Sequence, residues 1–146
     1  MANLLKNKPW IVVLGSISLS LLTINQVNAA VAVIVNPKNT SVFDKSTIKK
    51  IFLGKSKSFE NGRPAITLSP EKSAPEREEF NRQVLNKSSN QVNAYWSKMV
   101  FTGKGIPPQE MASASEIISA IAANEDAISY VDANDVTDAV KVVATF

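Results

Sequence analysis

Five consecutive apolar residues, Val31 to Val35, constrain the fold of this 146-residue chain more than any other stretch. Four of the five are β-branched and the run stops at Asn36-Pro37, so it reads as a short strand. A strand with no polar face cannot leave one side in water; it needs a packed layer above and below its sheet. Strands of this kind are commonest in parallel sheets, and a parallel setting is the expectation here. The rest of the chain supplies the covering layers. Asp44 caps a predicted helix with Ile48, Ile51 and Phe52 on one face and Gly54 at its end. Ser88 with Gln91 forms a capping box before Val92, Trp96, Met99 and Val100, which recur at helical spacing. Ser113 with Glu116 opens a further helix carrying Ile117, Ile118 and Ile121. Ile128 to Val131 and Val140 to Phe146 read as strands. Strands alternating with helices predict an α/β fold, a small parallel or mixed sheet flanked by helices.

Residues 1–29 are set apart from that pattern. Lys6 and Lys8 precede an apolar run from Trp10 to Ile24, and Val27-Asn28-Ala29 offers small residues before a cut. This is the plan of a secretory signal peptide, with an apolar run short for a membrane span. A cut after Ala29 leaves residues 30–146 as one domain of ordinary size, exported and periplasmic. It also removes two lysines and no acid, taking the formal charge from +3 to +1. At that net charge neither nucleic acid nor an acidic membrane is implied as a partner. The chain has no cysteine and no histidine, which removes disulfides, His-based triads and His-containing zinc sites.

The stretch with the most chemical promise is Ile66 to Leu85. Ile66-Thr67-Leu68 reads as a strand end, Ser69-Pro70-Glu71-Lys72 as a polar turn, and a helix is predicted from Ser73 or Ala74. Ser73 and Glu76 have capping-box spacing, Pro75 suits a first helical turn, and Phe80 with Val84 gives a buried face. A strand that turns into a helix points backbone N–H groups and the positive end of the helix dipole at one spot, which suits an anion.

Ile48-Lys49-Lys50-Ile51-Phe52-Leu53-Gly54-Lys55 is similar to the Ile-x-x-Ile-Phe-x-Gly-Lys segment of phosphate ABC transporter substrate-binding proteins. Lys72-Ser73-Ala74-Pro75, followed by a helix with Phe80, falls where that family has Gly-Ser-Gly-Thr. Trp96, Ala127-Ile128-Ser129-Tyr130-Val131 and the strand from Val140 to Thr145 follow in the family's order, so the likeness covers 30–146. It resembles the short, PBP-like members most, and implies the fold of one lobe of a type II periplasmic binding protein. The function it implies is non-enzymatic: binding a small oxyanion, phosphate first, for ABC-type uptake, with a membrane transporter or sensor as partner and no cofactor. Full-length members close two lobes on the anion, whereas this chain matches one, so a second wall would come from a second copy or another protein. The family's Arg before Gly-Ser-Gly-Thr is replaced by Ser69, and Ala74 and Pro75 stand for its Gly and Thr. Of the family's binding residues only Ser73 carries over. The anion site expected at this turn and helix start is Ser69, Lys72, Ser73, Ala74 and Arg77, with Ser73 donating its hydroxyl and Lys72 or Arg77 offsetting Glu76, Glu78 and Glu79. The rival reading is an interaction or sensory module that kept the lobe and lost the ligand, docking on a membrane protein.

Other patterns weigh less. Ser46 with Lys49 and Ser69 with Lys72 both match Ser-x-x-Lys, without the companion motifs of penicillin-recognising enzymes. Asp132, Asp135 and Asp138 lack the spacing of a calcium loop and read as a solvated rim. Tyr95 and Trp96 read as core, and the basic stretch Lys55 to Arg63 as a mobile, solvated loop with a turn at Asn61-Gly62.

Overall fold

The computed structural model describes residues 30–146; the signal-peptide expectation for 1–29 lies outside the described residues. Five strands form one mixed sheet: β1 (Val31–Val35), β2 (Ile66–Pro70), β3 (Gln109–Met111), β4 (Ala127–Asp132) and β5 (Lys141–Thr145), in the order β3-β2-β4-β1-β5. Four helices flank it: α1 (Lys45–Phe52), α2 (Pro75–Phe80), which continues into a π turn over Asn81–Leu85, α3 (Ser89–Phe101) and α4 (Ala114–Ala123).

All five residues of β1 are buried. Val31, Val33 and Val35 pack with α1, the π turn and α3, while Ile34 packs with α4 on the other face. The three-layer arrangement is what an unbroken apolar run demands, because successive side chains point to opposite faces. The parallel setting expected for β1 is overturned: it runs antiparallel to both β4 and β5. An apolar run reports burial on both faces and says nothing of strand direction. The parallel pairs are β2 with β4 and β2 with β3. The three-residue edge strand β3 has too little apolar content to be seen in sequence.

The helix ends follow their chemistry. The Asp44 carboxylate accepts the Thr47 N–H at 2.6 Å, and that hydrogen bond holds its pKa below the ordinary carboxylate value. Gly54 leaves α1 at φ +66°, and a Cβ there would lie 3.0 Å from the Trp96 ring, so both backbone and packing require glycine. The Ser88–Gln91 capping box forms with both hydrogen bonds present, and such a cap contributes about 1 kcal/mol.

Four local expectations change. β2 runs on through Ser69 and Pro70, both buried, so the polar turn starts two residues later. The Ser73–Glu76 capping box does not form: Ala74 is the N-cap, no side chain caps the helix, and the Ser73 hydroxyl donates to Glu71 instead (3.0 Å). Val100, placed with the inward face of α3, is 55% exposed because α3 overhangs the core at its C-terminal end. The Lys55 to Arg63 segment is pinned, not loose. Phe59 is buried against Phe43, the Phe59 N–H donates to the Arg63 carbonyl, and Ser58 bridges Pro64.

Candidate functional site

A cleft of about 510 Å³ opens over the ends of β2, β3 and β4, between α2 and α3. This is the carboxyl end of the parallel strands, where open α/β sheets place their ligands. Its floor is aromatic: Phe80 stacks on Tyr130 at 3.8 Å with planes 5° apart, and Phe52 meets Phe80 edge-on at 4.8 Å. Tyr130 faces this side because strand alternation puts it with Ile128 against α1 and α3, while Val131 goes with α4. Burial pushes the Tyr130 hydroxyl well above the ordinary tyrosine pKa; the nearby Arg77 charge opposes this, and Glu76 and Glu110 reinforce it. The phenol is therefore neutral, a hydrogen-bond donor.

Ser69 lines the same cleft, 2% exposed, and its Oγ has no hydrogen-bond partner among the described residues. Ser129, on the neighbouring strand, is equally buried but donates to the Leu68 carbonyl at 2.8 Å. A buried hydroxyl without a partner is costly, and native proteins keep few of them. Arg77 borders the cleft with its side chain only 13% exposed; it donates to the Pro70 carbonyl at 2.7 Å and pairs with Glu110 at 3.0 Å. Lys72 lines the rim and is exposed.

The five residues expected at one anion site are thus divided. Ser69, Lys72 and Arg77 share the cleft. Ser73 and Ala74 line a separate cavity of about 290 Å³, between the starts of α2 and α4. The ionisable residues lining that cavity are Glu71 and Glu76, and Glu116 stands next to it, accepting the Ala112 N–H. Acids without a matching cation repel an anion, so the cavity beside Ser73 is the poorer host. The cleft holds two cations against one acid, three hydroxyls (Ser69, Ser97 and Tyr130) and an aromatic floor, an arrangement that binds and orients. The Ser69 Oγ makes no hydrogen bond to Lys72, so the Ser-x-x-Lys spacing does not form a hydrogen-bonded nucleophile–base pair. Glu110 and Tyr130 went unrecognised in sequence. Glu110 belongs to β3, which carries no local signal, and Tyr130 was visible only as one residue of a strand.

No profile of a known protein family matches the chain, and no curated protein matches it. Solved structures do. One, from Clostridium perfringens, is described as a phosphate ABC transporter substrate-binding protein with bound phosphate; it shares 23% identity at a TM-score of 0.61 over 79% of this chain and 45% of its own. An ABC-type phosphate transport receptor from Vibrio cholerae shares 17% identity at a TM-score of 0.61, over 79% of this chain and 46% of that one. PstS from Borrelia burgdorferi shares 12% identity at 0.60, over the same shares. The fold is that of one lobe of these binding proteins, and the chain spans less than half the length of each.

Proposed function

We propose that this chain is an exported, non-enzymatic solute-binding domain, residues 30–146, that takes a small oxyanion, phosphate first, in the cleft between α2 and α3. The observation that carries the reading is the Ser69 hydroxyl, buried and unpaired at a cleft flanked by Arg77 and Lys72. A phosphate oxygen would accept from Ser69 and from the neutral Tyr130 phenol, while Arg77 and Lys72 supply charge. The likeness to phosphate-binding lobes supports the ligand class, and a role in ABC-type uptake with a membrane partner follows from the same likeness. Ser73 and Ala74 remain the alternative seat, by analogy with the family's Gly-Ser-Gly-Thr turn.

Calorimetric titration with phosphate, on the parent chain and on Ser69→Ala, Arg77→Met and Ser73→Ala, tests this. Ser69→Ala and Arg77→Met are each expected to weaken binding by about tenfold, the loss of a charged or buried hydrogen bond. Ser73→Ala is expected to leave it unchanged. The converse pattern moves the site to the smaller cavity, and no heat with any chain removes the reading.

A further inference from the structure

Charge on this molecule is segregated in a way its small net value hides. Lys45 to Ser58, which makes α1 and the start of the next loop, holds five lysines and no acid. Asn81 to Gln109, through α3 to the start of β3, adds Arg82, Lys87, Lys98 and Lys104, again with no acid. All 13 acidic residues lie elsewhere. The two basic segments pack together: the Tyr95 hydroxyl donates to the Leu53 carbonyl at 2.6 Å, and Gly54 abuts Trp96. Where α3 ends, the chain folds back on it through Lys104 N–H to the Met99 carbonyl, with Gly105 against Met99 and Trp96. At this tip Phe101 is 92% exposed, Ile106 87% and Val100 55%. Lys57 and Lys104 line, with Ile106, a groove of about 620 Å³ between the two loops.

Some of the lysines have a local explanation. Lys49 and Lys50 stand in the last turn of α1 and Lys98 in that of α3, where a cation complements the helix dipole. That does not explain large apolar side chains almost wholly in water beside them.

We propose that this tip docks on an anionic lipid bilayer, with Phe101 and Ile106 entering the interface and Lys57, Lys98 and Lys104 lying against headgroup phosphates. The choice of cation favours lipid over an acidic protein. Eight of the nine basic residues in the two segments are lysines. Protein interfaces are depleted in lysine and enriched in arginine, whereas an anionic leaflet attracts either cation by proximity. Phe101 also projects from the surface, which suits insertion into a soft interface. The groove begins at Ala65, Ile66 and Thr67, the start of β2, while Ser69 and the oxyanion cleft lie at its end; Pro107 lines both, and Val100 of the tip borders the cleft. The inference is independent of what that cleft binds.

The chain has no cysteine, so a single introduced one can be labelled cleanly. An environment-sensitive fluorophore on Thr102→Cys reports the tip; one on Ser119→Cys, exposed on α4 across the sheet, is the control. The full chain is mixed with phosphatidylcholine vesicles, with and without phosphatidylglycerol. The expected result is a blue shift at Thr102→Cys on anionic vesicles alone, reversed by salt, with no shift at Ser119→Cys. In the Thr102→Cys background, Lys98→Ser and Lys104→Ser are each expected to weaken the response by about fivefold. Phe101→Ser should weaken it by about tenfold, and thermal melts confirm that the variants fold. No shift at Thr102→Cys, or equal shifts at both sites, overturns the proposal. So does binding to native membranes that protease treatment abolishes while pure lipid fails, an outcome that assigns the tip to a protein partner.

Discussion

Ser69 separates a functional hydroxyl from a structural one by what its loss does. Were it structural, Ser69→Ala would cost stability. Because its Oγ is buried without a partner, removing it is expected to leave stability unchanged or raise it by about 1 kcal/mol, even as phosphate affinity falls. Denaturant unfolding of the two chains without ligand checks this, and a clear destabilisation would point to a hidden structural partner. Tyr130 makes the second prediction at this scale. Its folded pKa is raised above the ordinary value of 10.0, chiefly by burial. The favourable term is whole below that value; above it the unfolded chain releases a proton that the native state retains, so stability falls as pH climbs. Melting temperature followed from neutral into strongly alkaline solution is expected to drop steeply above that point, and Tyr130→Phe to flatten the drop. A parent curve as flat as the variant's would contradict the buried, neutral phenol.

Between elements, the decisive contact is the one β3 makes with α2. Edge strand β3 has three residues, yet it carries Glu110 to Arg77 and so occupies the cation best placed for an anion. Arg77 itself is held by the Pro70 carbonyl at the end of β2, so it stays in position when the acid is removed. Glu110 is 43% exposed at its side chain, which limits the pair's strength. Glu110→Gln is therefore expected to raise phosphate affinity by only about two- to fivefold, the free energy of an exposed ion pair. Affinity that falls on this substitution would mean that Glu110 orients Arg77 and does not merely compete for it.

On the scale of the molecule, the cleft presents one wall. Lys72 and Glu110 at its rim are exposed, so a bound anion keeps its outer side in water, where screening erodes each contact. Phosphate is expected to bind the isolated monomer at a roughly millimolar dissociation constant, about −4 kcal/mol. Calorimetry beside light scattering reads both affinity and assembly. Micromolar binding by a strict monomer would show that one wall suffices; tighter binding that grows with chain concentration would mean that a second copy completes the site. Charge also acts at this scale. A formal charge of +1 for residues 30–146 implies no acidic membrane as partner, yet nine cations fall in two segments, Lys45 to Ser58 and Asn81 to Gln109, that contain no acid.

What sequence determined by itself was set by near neighbours. Helix caps at Asp44, Ser88 and Ser113, the burial of Val31 to Val35, and the inward faces of Ile48, Ile51, Phe52 and Trp96 were legible because each depends on residues a few positions away. The α/β class followed from their alternation. Tertiary structure decided what depends on distant partners. The direction of β1 is fixed by β4 and β5, roughly a hundred residues further on, and no property of an apolar run encodes it. Ser73 had the spacing of a cap, but the helix starts one residue later with Ala74 as N-cap, and the Ser73 hydroxyl donates to Glu71. The division of Ser69, Lys72 and Arg77 from Ser73 and Ala74 came from the extra length of β2, which turns neighbours in sequence onto opposite sides of the sheet edge. Glu110 reached Arg77 only because β3 lies parallel to β2, a pairing across some forty residues that short-range chemistry could not announce.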